Sequence, residues 1–189
     1  MSSEVNRYGG GYIVCYNRTM LINHIHIIKM GGTIEFRDPS YEKINDLMKL
    51  DITVEGYLKN LVKPHFTYDI DNVCQKDSRE ITKEDLSKLW ASVKSSKEEN
   101  ILITHGTFTM KNTAKFLEGL LEKENLKRKI IITGAMVPIV GFSISDAGFN
   151  LGYSLASFDA VQYGVYLCMN GGIFKADEVE KNVNLLRFE

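Results

Sequence analysis

The stretch "NILITHGTFTM", residues 100–110, combines a structural pattern with a chemical one. It begins with the apolar run NILIT and continues through a histidine, a glycine and two threonines. A short and almost continuous apolar run is typical of a parallel strand that is covered on both faces. The segment 110–123 has apolar residues at helical spacing, so the whole stretch predicts a strand, a turn and a helix.

The same alternation extends to both sides of this stretch. Thr82 is predicted to cap one of the helices, because a threonine hydroxyl at this position can accept a backbone hydrogen bond. Strands that alternate with helices form right-handed βαβ units. We therefore expect an α/β fold with a doubly wound, mainly parallel sheet and helices on both faces. Further strands are predicted at 23–30, 66–74, 129–133 and 164–170, and further helices at 41–50, 53–62, 82–93 and 145–158.

The composition is that of a globular chain with no strong charge bias. It has 189 residues, a formal net charge of −1 and 44% hydrophobic residues. The lack of a basic excess disfavours a nucleic-acid partner, and the apolar runs are far shorter than the ~20 residues of a membrane span. We expect one domain at 21–189, preceded by a loosely packed extension over 1–20 that lacks the features of a signal peptide.

The three cysteines are isolated in the sequence. Their number and spacing predict neither a disulfide framework nor a metal site. A reduced, cytoplasmic location is therefore expected.

Residues with reactive side chains follow the predicted strands. Thr33 follows the first strand, Thr107 follows NILIT, and Lys181 lies after the last strand. Ligands of doubly wound sheets bind at the carboxyl ends of the strands, so these side chains are expected at one edge. A threonine hydroxyl needs a base to act as a nucleophile or to relay a proton, and a desolvated lysine can serve as that base.

Each of these features also has a purely structural interpretation. Gly31 and Gly32 can simply form a turn. His105 can pack in the core, and Thr109 can cap the following helix. Lys181 lies in a charged segment, where a lysine is usually solvated. The residues alone leave these alternatives open.

Five segments, in this order, resemble motifs of the bacterial L-asparaginase/glutaminase family. The resemblance runs from about residue 24 to the end of the sequence and concerns the family's amino-terminal domain only. It implies a flavodoxin-like or Rossmann-like α/β domain that hydrolyses a small amide without a cofactor. The segments are GGTI (31–34), KDSREIT (76–82), ITHGTFTM (103–110), ITGAMVP (132–138) and SDAGFNL (145–151).

The resemblance implies four catalytic positions. Thr33 resembles the nucleophile that attacks the side-chain amide carbon and forms an acyl-enzyme. Thr107 resembles the second threonine of the family, and Lys181 resembles the lysine paired with it. Tyr41 resembles the mobile-loop tyrosine that activates the nucleophile, although the loop is shorter here than in the family. Acyl transfer needs such a combination of a hydroxyl nucleophile and a proton carrier.

Four further positions are implied in substrate binding. The backbone at Gly32 can approach the substrate, and Ser78 resembles the serine that binds the substrate carboxylate. The backbone of Ala135 resembles a contact to the amide that is cleaved. Phe108 is a departure, because the family has an aspartate here that pairs with the α-ammonium group. Losing one partner of a desolvated ion pair costs about 3–5 kcal/mol, which predicts weak binding of free asparagine.

The sequence thus predicts an amidohydrolase of L-asparaginase type whose substrate preference is altered by Phe108. Family enzymes also have a carboxy-terminal domain, and a neighbouring subunit's copy of it completes each active site. This sequence ends at Glu189 without such a domain, so we expect a homo-oligomer or a partner that replaces it. Two other functions remain open: a non-catalytic binding module that retains the fold, and an amide-hydrolysing subunit of an amidotransferase.

Overall fold

The computed structural model describes residues 7–8, 11–12, 23–36, 53–139 and 144–189. A π-helical segment, Tyr57–Val62, continues the short helix Val54–Gly56, and 3-10 turns at Thr33–Glu35 and Ser78–Glu80 follow the strands His24–Gly31 and Thr67–Lys76. The helices are α1 (Val54–Gly56), α2 (Lys83–Ser95), α3 (Met110–Glu124) and α4 (Ala147–Ser157). The strands are β1 (Arg7–Tyr8), β2 (Gly11–Tyr12), β3 (His24–Gly31), β4 (Thr67–Lys76), β5 (Asn100–Thr104), β6 (Lys129–Thr133), β7 (Gly164–Met169), β8 (Gly172–Phe174), β9 (Lys181–Asn182) and β10 (Arg187–Phe188).

A six-stranded sheet forms the centre of the fold, in the order β4-β3-β5-β6-β7-β8. All its pairs are parallel except β7–β8, which is antiparallel. The strand order reverses at β3, with β4 on one side and β5, β6 and β7 on the other. Such a reversal is the point where doubly wound sheets bind their ligands. The predicted fold class is confirmed.

Alternate residues of the central strands face opposite sides of the sheet. Ile101 and Ile103 of β5 belong to one hydrophobic cluster, and Leu102 between them belongs to the other. Helices α2 and α3 cover the first cluster, α3 through Leu117. Helices α1 and α4 cover the second, α4 through Leu151. The apolar strands are stable in this position because burial stabilises by about 25 cal/mol per Å² of apolar surface.

The two helix caps predicted from the sequence have different outcomes. Thr82 forms a capping box with Asp85: its side chain accepts from the Asp85 N–H at 3.3 Å, and the Asp85 carboxylate accepts from the Thr82 N–H at 2.8 Å. Thr109 precedes α3, but its side chain makes no capping bond. Its hydroxyl donates to the Ser78 carbonyl oxygen at 2.7 Å. The predicted cap at Thr109 is wrong, because this hydroxyl binds the turn after β4 instead.

Some predictions concern residues outside the described ranges. The helix at 41–50, with Tyr41, lies entirely outside them. Within the extension predicted over 1–20, only β1 and β2 are described, as an antiparallel pair. The loose packing of that extension stays a prediction. In the described part of the chain, no helix is both long and apolar enough to cross a membrane.

Candidate active site

The carboxyl ends of β3, β4 and β5 bring three loops into contact. A Cβ atom added to Gly32 would lie 2.3 Å from the Cα and N atoms of Gly106. A Cβ atom added to Gly106 would lie 2.7 Å from the Cβ atom of Ser78. The loops approach this closely because neither glycine has a side chain. Gly32 also has a φ of +81°, in the left-handed region that favours glycine. Its backbone conformation is therefore a second reason why a glycine occupies this position.

Thr33 is positioned by the same turn. It begins the 3-10 turn Thr33–Glu35 and is half-buried. The turn is tied to β4, because the Gly32 N–H donates to the Lys76 carbonyl oxygen at 2.8 Å. Thr33 adjoins a cavity of about 400 Å³. The cavity is lined by Gly32, Thr33, Glu35, Phe36, Gln75, Lys76, Asp77 and Glu80.

Thr107 and Lys181 are in direct contact. The Nζ atom of Lys181 donates to the Oγ1 atom of Thr107 at 2.7 Å. Thr107 is buried, and Lys181 is half-buried. Burial lowers the pKa of Lys181 from its ordinary value, Arg79 lowers it further, and Asp77 opposes the change. A lysine of lowered pKa can exchange a proton with a neighbouring hydroxyl, which is the chemistry that a catalytic threonine needs.

Lys181 reaches the site on the short hairpin formed by β9 and β10. It pairs with Phe188, whose ring is buried in the hydrophobic core. The Phe188 N–H donates to the Oδ1 atom of Asn170 at 3.0 Å. Asn170 follows β7 and has a left-handed backbone, with φ 55°. The hairpin is therefore anchored both in the core and at the end of β7.

Phe108 lies next to two cations. Its side chain is 53% exposed. The Lys181 Nζ atom lies 3.7 Å from the ring centroid, and the Arg79 Cζ atom lies 4.5 Å from it. Arg79 also binds the Asp77 carboxylate through two N–H···O bonds of 2.9 Å. These bonds, with a third from the Arg79 backbone, lower the pKa of Asp77 to about 2.

Ser78 is buried rather than open to the cavity. It is 3% exposed, and its Oγ atom accepts from the Thr109 N–H at 3.4 Å. Its neighbour Asp77 lines the cavity, and its other neighbour, Arg79, contacts Phe108. The predicted contact between Ser78 and a substrate carboxylate stays a prediction.

Ala135 follows β6 and is fully buried. Helix α4 and the residue before it hold the loop that contains Ala135. The Met136 N–H donates to the Asp146 carboxylate at 3.0 Å, and the side chain of Asn150 donates to the Gly134 carbonyl oxygen at 3.0 Å. These bonds hold the backbone on both sides of Ala135, which is the group predicted to contact the substrate.

His105 is a packed core residue, as its structural interpretation predicted. It is fully buried, with Nδ1 2.7 Å from the Gly106 carbonyl oxygen and Nε2 2.9 Å from the Thr113 hydroxyl. Because the carbonyl can only accept, Nδ1 carries the proton and Nε2 accepts from Thr113. Burial lowers the pKa of His105 to about 4.

A buried ion pair close to Thr33 was not predicted. The Nζ atom of Lys29 lies 3.4 Å from the Oε2 atom of Glu35, and both side chains are almost fully buried. The same Glu35 oxygen accepts from the Val54 N–H at 3.4 Å, so the pair connects β3, the turn of Thr33 and α1. The available signal was a lysine between the apolar residues Ile28 and Met30 near the end of a predicted strand, followed by a glutamate in the next turn.

The predicted site residues with described side chains fall into two main groups. Gly32 and Thr33 line the cavity, whereas Thr107, Phe108 and Lys181 form a second group. The two groups are linked where the loops after β3 and β5 touch. Within the described ranges, no set of three or more His, Cys, Asp or Glu side chains could hold a metal ion.

Comparisons with known proteins agree on one family. Residues 24–185 match the family model described as "Asparaginase, N-terminal". The glutaminase-asparaginase of Acinetobacter glutaminasificans is 29% identical over 172 residues, with 86% of this chain and 51% of the relative covered. The glutaminase-asparaginase of Pseudomonas fluorescens biotype A is 31% identical over 177 residues, with 89% of this chain and 48% of that relative covered.

Solved structures show the same fold. The probable cytoplasmic L-asparaginase from Campylobacter jejuni has a TM-score of 0.66 at 24% identity, covering 88% of this chain and 52% of that one. The thermostable L-asparaginase from Thermococcus kodakarensis has a TM-score of 0.65 at 22% identity, and the match covers 88% of this chain and 50% of that one. This chain spans about half the length of these relatives.

Proposed function

This chain belongs to the asparaginase family, in which it matches the amino-terminal domain, and on this basis we propose that it is an amidohydrolase of L-asparaginase type. Its substrate is a small molecule with a terminal amide, and its own side chains perform the reaction. The observation that carries the proposal is the hydrogen bond between Lys181 and Thr107.

This hydrogen bond is better explained by catalysis than by stability. The lowered pKa of Lys181 means that folding disfavours its charged form. A contact kept for stability alone would do the opposite, because an ammonium group gains most from a carboxylate partner. Amines with lowered pKa values beside a hydroxyl are typical of active sites, where a neutral amine can accept a proton.

In the proposed reaction, the hydroxyl oxygen of Thr33 attacks the amide carbon. An ester bond forms, the C–N bond breaks, and the nitrogen takes up a proton and leaves as ammonia. Water then attacks the ester carbon, the bond to Thr33 breaks, and the product carboxylate and the threonine hydroxyl are released. Thr107 and Lys181 carry the protons that these steps move, and backbone N–H groups of the adjoining loops stabilise the oxyanion.

Ammonia release from a panel of amides tests the proposal. The panel contains L-asparagine, L-glutamine, succinamate and propionamide. Thr33→Ala, Thr107→Val and Lys181→Met should each lower kcat by about 100-fold or more, because each removes a nucleophile or proton carrier. Lys115→Met is the matched control, since it removes an exposed lysine that pairs with Asp177, and it should retain activity.

The outcomes separate the candidate functions. If Thr33→Ala keeps the wild-type rate, the proposed nucleophile is wrong. If the wild-type protein releases no ammonia from any amide, a non-catalytic binding module replaces the proposal. If ammonia appears only after a partner protein is added, the chain acts as an amide-hydrolysing subunit of an amidotransferase.

We also propose that the chain acts in the cytoplasm as a homo-oligomer or with a partner protein. Large apolar side chains such as Leu61, Phe149 and Leu185 are exposed. Exposed apolar surface favours association. Sedimentation velocity at several protein concentrations tests for self-association, and purification from cells tests for a bound partner protein. A monomer throughout, with no co-purifying protein, would contradict it.

A further inference from the structure

The surroundings of Phe108 point to a class of substrate. Arg79 and Lys181 approach the ring from two separate segments, the turn after β4 and the hairpin of β9 and β10. Their distances from the ring centroid, 4.5 Å and 3.7 Å, allow a cation–π contact for each. Of the two, Lys181 also donates to the Thr107 hydroxyl, at 2.7 Å.

Positive charge dominates next to this ring. The Asp77 carboxylate is engaged by Arg79, through its backbone N–H at 2.8 Å and two side-chain bonds of 2.9 Å. Lys181 forms no ion pair with a carboxylate of the described residues, and the effect of Arg79 on its pKa outweighs that of Asp77. An ammonium group bound beside the ring would lie next to the charge of Arg79, and nearby like charges destabilise one another.

Arg79 retains hydrogen-bond donors for a ligand. A guanidinium group has five N–H donors, and Asp77 uses one on Nε and one on Nη2. The Arg79 side chain is 64% exposed. The remaining N–H groups on Nη1 and Nη2 form a fork that matches a carboxylate.

We propose that Arg79, Phe108 and Lys181 form a subsite for a carboxylate without a neighbouring ammonium group. The substrates are then monoamides of short dicarboxylic acids, with succinamate as the representative. The choice of an amide rests on the proposed function. The carboxylate binds the free edge of Arg79, the methylene groups lie along the Phe108 ring, and the amide extends towards the cavity that Asp77 and Thr33 both line.

Binding of product analogues tests the subsite without catalysis. Isothermal titration calorimetry compares succinate with L-aspartate, which differs by one ammonium group. We expect wild type to bind succinate about tenfold more tightly or better, and Arg79→Gln to lose most of that preference. Lys94→Gln removes a cation that pairs with Glu124 elsewhere on the surface, and it should keep the preference. Failure to bind succinate, tighter binding of L-aspartate, or equal effects of the two variants would overturn the subsite.

Hydrolysis separates this inference from the proposed function. We expect kcat/KM for succinamate to exceed that for L-asparagine, and Arg79→Gln to lower the ratio of succinamate to propionamide turnover by about tenfold. If succinate binds with the expected preference but no amide is hydrolysed, the subsite stands and the proposed function fails. If L-asparagine is hydrolysed at least as well as succinamate, the proposed function stands and the subsite fails.

Discussion

The Nζ atom of Lys181 lies 2.7 Å from the Oγ1 atom of Thr107, although the two residues are 74 positions apart. One arrives on the β9–β10 hairpin and the other on the loop after β5. The pKa of Lys181 is lowered by burial and by Arg79. The neutral amine is the form that can accept a proton from Thr107. Activity should therefore rise as pH rises through the lowered pKa of Lys181.

The acidic limb of the pH profile should respond to Arg79. Removing a nearby cation raises the pKa of an ammonium group, so Arg79→Gln should move this limb of kcat/KM to higher pH. Propionamide is the substrate for this measurement, because it has no carboxylate that Arg79 could bind. Lys94→Gln, which alters a distant ion pair, should leave the limb in place. A limb that stays unchanged in Arg79→Gln, or moves to lower pH, would show that Lys181 does not set it.

Phe108→Asp should raise the hydrolysis of L-asparagine relative to succinamate. The new carboxylate would lie near Lys181 and Arg79, whose positive charges offset the cost of placing it there. It would attract the α-ammonium group of asparagine and repel the carboxylate of succinamate. Phe108→Ala is the matched control, because it removes the ring without adding charge. Equal substrate ratios in the two variants would rule out a charge-based preference.

Gly32→Ala should destabilise the protein and abolish its activity. The added Cβ atom would meet the Gly106 backbone at 2.3 Å, and the φ of +81° is unfavourable for alanine. We expect the free energy of unfolding to fall by more than about 1 kcal/mol. Gly119→Ala is the control, because this glycine lies in α3 with open space around it. Alanine should raise the free energy of unfolding there by about 0.5–1 kcal/mol, since it favours a helix more than glycine does. Urea denaturation of both variants measures the difference, and equal stabilities would refute the close contact.

Asn170→Gly should lower kcat more than it changes KM. It removes the side chain that accepts from the Phe188 N–H, while glycine keeps the left-handed backbone. The hairpin that carries Lys181 then loses one anchor, and small displacements of catalytic groups can cost up to about 100-fold in rate. Asn125→Gly is the control, because Asn125 has the same kind of backbone, φ 49°, at the end of α3. A similar loss of kcat in both variants would indicate general destabilisation.

His105 should make the protein less stable in mild acid. Its pKa is 6.5 in the unfolded chain and about 4 in the folded protein, so the unfolded state binds more protons between these values. The stabilisation is fully present above pH 6.5 and is lost as pH falls towards 4, by about 3 kcal/mol in all. His105→Gln should show a smaller loss of stability over this range, measured by urea denaturation. His65→Gln alters an exposed histidine and should behave like wild type. A wild-type pH dependence in His105→Gln would contradict this assignment.

The larger elements were predictable because burial leaves a pattern in the sequence. A strand such as NILIT is apolar on both faces only if helices cover both faces, and the helices show their own spacing of apolar residues. The capping box of Thr82 was predictable for a different reason: its partner, Asp85, lies only three residues further along the chain. The predicted cap at Thr109 was wrong, because its hydroxyl donates to the Ser78 carbonyl oxygen on a different loop.

The sequence by itself determined the order of the described strands and helices from β3 to β7, the edge at which the threonines and Lys181 gather, and the family that the motifs resemble. Only the tertiary structure decided that Arg79 and Lys181 share the ring of Phe108, that Lys29 and Glu35 pair inside the fold, and that Asn170 anchors the hairpin of Lys181. Periodicity encodes which face of an element is buried. It does not encode distances between side chains on separate loops, because these depend on how the loops close and on contacts such as that between Gly32 and Gly106.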